Sequence, residues 1–271
     1  MTRLDEADPE SARSGIDSEA AVDGPSTEDR AARERLHAAR ATLYAAAGGA
    51  FCYPDVETRA TLTAHDAREG VLEAAERLGL RESAERFLDA VADAAVSDLE
   101  AAYNDLFGLP DGGEYPVVPY EAHYTTGSDV GESQRRIAAV VGLMETFGVE
   151  PGEEFAERQD HVAAELELMQ VVAAQRATAL HRGDDEAVAR LADAERTVVD
   201  THLAGFVPAL AHDVEAAADD DPSDGRRAYR AAARLAAELV ERDHAARGGG
   251  GDGDESDDAD TAGEGVGADG E

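Results

Sequence analysis

The sequence contains no lysine and no tryptophan, and only one cysteine, Cys52. All 24 basic residues are arginine, set against 60 acidic residues, for a formal net charge of −36. Each absence removes a class of function. Without lysine there is no P-loop lysine, no Schiff base and no lysine general base. A single cysteine permits neither an intramolecular disulfide nor a thiolate metal cluster, and Cys52 reads as a small buried hydrophobe. The basic footprint that nucleic-acid binding requires is missing. No apolar run reaches the roughly 18 residues of a membrane span, which argues against membrane insertion. Met1 to Arg30 has no apolar signal-peptide core, so the expected location is the cytoplasm.

What is present is acid, alanine and helical periodicity. An Asp/Glu-rich, Lys-free, Ala-rich chain fits a high-salt cytoplasm, where a dense carboxylate surface keeps a protein hydrated and soluble. The 271 residues, 43% of them hydrophobic, suffice for one large or two small domains. Residues 1–27 are acidic, small and aperiodic, and 247–271 are glycine and acid; both read as disordered. Residues 28–246 read as one all-α domain of about nine or ten helices.

Thr27 is placed to cap a first helix carrying Leu36, Leu43, Tyr44 and Ala47. Asp55 to Ala94 reads as two or three short helices with Val56, Leu62, Val71, Leu72, Leu78, Phe87, Leu88 and Val91 inward. Ser97-Asp-Leu-Glu100 has the pattern of a capping box opening the helix of Leu99, Tyr103, Leu106 and Phe107. Further helices are expected over Glu132–Phe147, Glu157–Leu180, Asp184–Gly205 bending near Pro208, Leu210–Ala218 and Arg226–Ala246, with a loop at Asp219 to Gly225. There is no internal repeat and no convincing strand.

Gly108 to Gly131 stands apart. This long loop, a possible hinge over 108–131, holds Pro110, Pro116 and Pro119 together with Tyr115, Tyr120 and Tyr124. Long loops are uncommon in compact domains and are usually functional or disordered, and disordered ones are poor in aromatics. An aromatic, proline-stiffened loop is expected to pack against something.

The segment Asp160-His-Val-Ala-Ala-Glu-Leu-Glu-Leu-Met169 is the other unusual stretch. On a helical projection Val162, Leu166, Leu168, Met169 and Val172 form an apolar arc that includes His161 and Glu165, with Asp160 and Glu167 on the solvent side. An ionisable pair inside an apolar arc costs several kcal/mol unless it is paired or hydrogen-bonded. Four readings stay open: metal ligation by His123, His161 and Glu165, as in a metal-dependent hydrolase; a general-base histidine; a buried polar clasp to the loop; and ligand recognition by that clasp. The zincin pattern lacks its second histidine. Ser133-Gln-Arg-Arg resembles a twin-arginine export motif, but it lies mid-chain on an amphipathic helix. The glycines at 112–113 and 248–251 lack the strand and lysine-bearing helix of a phosphate loop.

Three motifs in order, Tyr103-Asn-Asp-Leu-Phe-Gly108, Pro119-Tyr-Glu-Ala-His-Tyr124 and Asp160 to Met169, resemble the TorD/DmsD/NarJ family of molybdoenzyme maturation chaperones. The resemblance spans about residues 30 to 245 and is nearest the subgroup serving type II enzymes of the dimethyl sulfoxide reductase family, including nitrate reductases. It implies an all-helical, non-enzymatic chaperone without a cofactor, monomeric or dimeric. Such a chaperone binds the N-terminal twin-arginine leader or apo-form of a molybdopterin oxidoreductase catalytic subunit. It holds that subunit until the cofactor is inserted and so prevents premature export. Matched to the family motifs, Tyr120, Glu121, Tyr124, Asp160, His161 and Glu165 are the expected client-binding residues. Gln159 stands where the family has proline, which removes a rigid entry into the third motif. Nothing in the sequence supports the guanine-nucleotide binding known for some members.

A leader with a basic front and an apolar core suits an aromatic groove with carboxylates at one end. At 1 M salt the Debye length is about 3 Å, so affinity is expected from apolar burial and close bonds to Asp160 or Glu121, not from long-range attraction.

Overall fold

The computed structural model describes residues 26–108, 115–127, 130–150, 152, 155, 157–217 and 223–248. The expected arm up to residue 25, the tail from 249, the Gly112-Gly113 pair and residues 219–222 of the expected loop lie outside the described residues.

Small side chains set how closely the central helices approach. α1 (Thr27–Ala50) and α8 (Val162–Arg182) form the most extensive helix pair. At their crossing Gly48 leaves no room: a Cβ there would stand 3.3 Å from Leu166 Cβ and 3.4 Å from the Ala163 carbonyl. Close approach buries Leu43, Tyr44 and Ala47 against Leu166, Met169 and Ala173, which packs α1 directly over the start of α8. α1 begins at Ser26, whose side chain accepts from the Asp29 amide, one residue before the expected Thr27 cap. Leu36, expected inward, is 40% exposed in the N-terminal half of α1.

Around this pair lie α2 (Val56–Thr63), α3 (His65–Leu78), α4 (Arg81–Asp93) and α5 (Val96–Phe107). Val56, expected in the core, is 74% exposed, because α2 is a short peripheral helix with no buried residue. α5 starts before the anticipated capping box: Ala95 takes the cap position without a side-chain bond, and Ser97 falls in the first turn. Burial of Leu99 sets that register, since its amide bonds the Ala95 carbonyl at 3.1 Å and leaves Ser97 facing water. Tyr103 and Phe107 of α5 meet Tyr229 edge-on at 6.1 and 5.6 Å, locking α5 to the last helix.

The loop contains a short helix, α6 (Glu121–Thr125), and is followed by α7 (Val130–Phe147), which starts two residues earlier than expected. Only Val140 and Met144 of α7 are buried, so this helix is held on one side. α8 ends at Gly183, where φ of +69° gives the left-handed C-terminal turn. Where one long helix was expected over Asp184–Gly205, α9 (Asp185–Thr197) runs into a π-helical turn, Val198–Leu203, and then α10 (Val207–Ala217). Pro208 is tolerated because it lies in the first turn of α10, where its missing N–H is not needed. α11 (Asp224–Gly248) packs on α10, α4, α5 and α1, and extends two residues beyond the expected span at each end.

A buried ionic network that the residue pattern did not single out ties these helices together. Arg40 of α1 donates to both carboxylate oxygens of Asp243 at 3.1 and 2.9 Å and to Glu195 at 2.7 Å. Tyr44 adds a bond to Asp243 at 2.8 Å, and Arg176 donates to Glu195 at 2.6 Å. The described residues contain no strand, and none of their helices is long and apolar enough to cross a membrane. The fold is all-α, as the periodicity indicated.

Candidate functional site

The aromatic loop packs against the segment that leads into α8. Two backbone bonds hold them: the Glu121 amide donates to the Asp160 carbonyl at 2.8 Å, and the Val162 amide to the Pro119 carbonyl at 2.9 Å. They form an isolated antiparallel bridge between Tyr120 and His161. This pairing explains why α8 starts at Val162 instead of near Glu157. The Asp160 carbonyl and the Val162 amide are committed to the loop, so the backbone at His161 is extended at φ −77° and ψ 140°.

That shift changes the face assignments. Asp160, placed on the solvent side by the helical projection, is fully buried. Outside the helix its carboxylate turns inward, accepting from the Ala122 amide at 3.3 Å and from the Arg158 Nε at 2.9 Å. His161 is the N-cap of α8: its Nδ1 accepts from the Ala163 amide at 3.2 Å. An accepting Nδ1 puts the ring proton on Nε2, which is buried and has no hydrogen-bond partner among the described residues. The ring sits edge-on to Tyr120 at 5.5 Å and to Phe155 at 5.8 Å. Burial in this setting holds the imidazole pKa down at about 4, so His161 is neutral.

Glu121 and Glu165 lie deeper, both fully buried. The Glu121 carboxylate is 3.2 Å from His202 Nδ1 and 3.5 Å from Arg136 Nε. Neither Glu165 carboxyl oxygen has a hydrogen-bond partner among the described residues, and burial, reinforced by the neighbouring Glu121 and Asp160, pushes its carboxyl well above the usual range. Its closeness to a second buried carboxylate favours the neutral acid at Glu165, while the Glu121 carboxylate lies beside Arg136.

His202 and Arg136 were not anticipated. The π-helical turn puts Val198 and Val199 in register with His202 and Leu203, all four buried. A histidine recurring with valines in an apolar run was the available signal. Arg136 belongs to the Ser133-Gln-Arg-Arg run, and it also donates to the Thr201 carbonyl at 2.8 Å, binding α7 to the π turn.

The residues expected for a metal site do not converge. His123 is exposed on α6 against the Tyr124 ring at 4.9 Å, and His161 spends Nδ1 on its cap. Among the described residues, Glu121, Glu165 and His202 instead bring one ligand atom each within 4.8 Å of one another. Arg136 already supplies positive charge to that group, and Glu165 is held as the neutral acid, so its donor set is poorly suited to a cation.

The outer side of the clasp is a cleft of about 620 Å³ between the loop, Arg158 and α7. Tyr115, Val118, Tyr120 and Ile137 give it apolar walls. Arg158 stacks its guanidinium on the Tyr120 ring at 4.5 Å, and the Tyr120 hydroxyl donates to Glu157 at 2.5 Å. Tyr124, expected beside Tyr120, turns away: its hydroxyl donates to Asp213 of α10 at 2.9 Å and its ring meets Phe206. Of the expected client-binding residues, Tyr120 alone lines the cleft, together with His123 of the metal reading, while Glu121, Asp160, His161 and Glu165 are buried behind it.

The curated proteins and the solved structures give no significant match to the chain. The family described as nitrate reductase delta subunit matches residues 73–212. That span runs from α3 into α10 and includes all three motifs and the whole of the clasp. The chain therefore belongs to the nitrate reductase delta subunit family of NarJ/TorD-like chaperones, a family concerned with molybdoenzyme assembly.

Proposed function

We propose that this protein is a cytoplasmic maturation chaperone that binds the leader or apo-form of a molybdopterin oxidoreductase catalytic subunit and holds it until the cofactor is inserted. The observation that carries the proposal is the cleft beside the Tyr120–His161 bridge: aromatic and aliphatic walls on a preformed scaffold, open along the weakly held α7. An apolar helical segment laid into such a groove buries surface worth roughly 25 cal/mol per Å² before ordering costs.

The clasp and the cleft have separate roles in this reading. Glu121 and Asp160 are buried and already paired, so they do not reach out to a leader's arginines. They fix the loop to α8 and thereby hold Tyr120 at the cleft. Carboxylates on the accessible side, Glu157 and the exposed Glu132 of α7, receive the basic front. Neither the clasp nor the cleft is assigned a catalytic step.

The test is binding of a synthetic twin-arginine leader peptide from a molybdopterin oxidoreductase catalytic subunit of the same cells. Ile137→Glu puts a charge in the apolar wall without touching the clasp. The reading expects saturable binding that this variant weakens roughly a hundredfold, while Leu36→Glu in the N-terminal half of α1 leaves it unchanged. Equal affinity of both variants would refute it.

A further inference from the structure

Four arginines converge on a second cleft of about 490 Å³, bounded by α1, α8, α9 and α11 on elements away from the aromatic loop. The chain as a whole carries a net charge of −36, yet Arg40, Arg176, Arg242 and Arg247 line this cleft against only two carboxylates, Glu195 and Asp243. Both carboxylates are already engaged. Asp243 is held by the Arg40 fork, and Glu195 takes bonds from Arg40 and Arg176 at 2.7 and 2.6 Å.

The remaining donors are left over. Arg176 Nε is buried without a hydrogen-bond partner, and Arg242 has neither an ion pair nor a hydrogen bond among the described residues. Arg247 gives one bond to a neutral acceptor, the Asp243 backbone carbonyl at 2.7 Å. Burial first, and then the adjacent Arg40, lower the Arg247 pKa, and Asp243 and Glu195 offset this only in part.

Another arginine-rich cleft, between α4, α10 and α11, is arranged differently. There Arg86, Arg227, Arg230 and Arg234 pair with Glu82, Asp224, Glu215 and Glu238 respectively, so each cation has its own anion. In the cleft of Arg176, by contrast, neither Arg242 nor Arg247 has an ion pair among the described residues, and the Arg176 Nε–H is buried without a partner. Guanidinium forks match planar or tetrahedral oxyanions and bind them in two-point contact.

We propose that this cleft binds a small anion bearing phosphate or carboxylate groups, held by Arg242 and Arg247 with the Arg176 Nε–H at its floor. The site goes beyond the chaperone reading and does not depend on it. The leader cleft lies on the loop and α7; this one uses none of those residues.

Calorimetric titration of the full chain with inorganic pyrophosphate and, separately, with citrate tests it. Work at about 1 M KCl, where the Debye length is about 3 Å, suppresses diffuse attraction. The proposal expects saturable one-to-one binding of at least one probe, and the preferred probe identifies phosphate or carboxylate as the group recognised. The double variant Arg242→Gln/Arg247→Gln should weaken binding roughly tenfold or more. The control Arg230→Gln/Arg234→Gln in the other arginine-rich cleft should change it less than about twofold. Absence of saturable binding to both probes, or equal weakening in the two double variants, would overturn the proposal.

Discussion

Tyr120 and His161 face each other across one antiparallel backbone bridge, their rings edge-on at 5.5 Å, and each is fixed by a different partner. Tyr120 donates to Glu157, and His161 accepts from the Ala163 amide as the cap of α8. His161→Ala removes both the ring and the cap, with an expected loss of about 2–4 kcal/mol. Asparagine is a good cap, so His161→Asn should lose roughly half as much. Urea unfolding midpoints with unchanged slopes measure both.

The fold and the pairing of the two motifs were legible in the sequence; the facing of individual side chains was not. Helical periodicity gave α1, α5 and α11 to within a few residues because their apolar stripes are one-sided, and it gave two or three short helices, without individual bounds, where α2, α3 and α4 lie. Asp160 was misplaced because a wheel assumes helix, and the bridge to Pro119 and Glu121 keeps residues 160 and 161 extended. The Arg40–Glu195–Asp243 network was invisible because its members come from α1, α9 and α11, far apart in sequence and each ordinary on its own helix. His202 could be read only with the π turn in hand, since it is the widened turn that brings it under Glu121.

Acid should weaken the protein in a specific window. Burial lowers the His161 pKa from 6.5 to about 4, so between those values the unfolded chain takes up a proton that the folded chain refuses. Stability therefore falls as the pH drops from about 6.5 to about 4, by an amount on the order of 3 kcal/mol. His37 is lowered in the same direction, again chiefly by burial. For Glu195, burial alone would raise the pKa, but bonds from His37 and Arg40 hold it at about 2, so its contribution is lost at still lower pH. Unfolding midpoints measured across this range should show a shallower slope in His161→Asn than in the parent.

Glu165 acts with the opposite sign. Its folded pKa is raised, by burial first and then by Glu121 and Asp160, so the stability it contributes is present in acid and lost as pH rises through the elevated value. Glu165→Gln keeps the shape of the neutral acid. Expected is a variant no less stable than the parent at pH 8, whereas Glu165→Ala loses about 2 kcal/mol or more through the cavity it leaves. Thermal melts at acid and alkaline pH distinguish the two.

Removing one member of the buried ion network should be costly. Arg40→Met leaves Glu195 and Asp243 without their main partner, at 1% and 5% exposure, and should cost about 3–5 kcal/mol. Restoring apolar character at all three positions should recover part of that loss, because the desolvated charges disappear together. Denaturant titrations of the single and triple variants measure the difference.

A net charge of −36 repels itself in dilute buffer. Raising KCl from about 0.1 to about 1 M shortens the Debye length from about 10 to about 3 Å, so the melting temperature should rise over that interval. A flat or falling dependence would show that surface repulsion is not a significant term.

The chaperone reading is tested most directly by the molybdenum content of the client. The catalytic subunit is purified from cells carrying this chain, from cells lacking it, and from cells carrying the Ile137→Glu variant, and its bound molybdenum is measured by elemental analysis. The account expects near-stoichiometric metal with the intact chain and severely reduced loading in the other two. Full loading of the catalytic subunit in cells that lack the chain would contradict it.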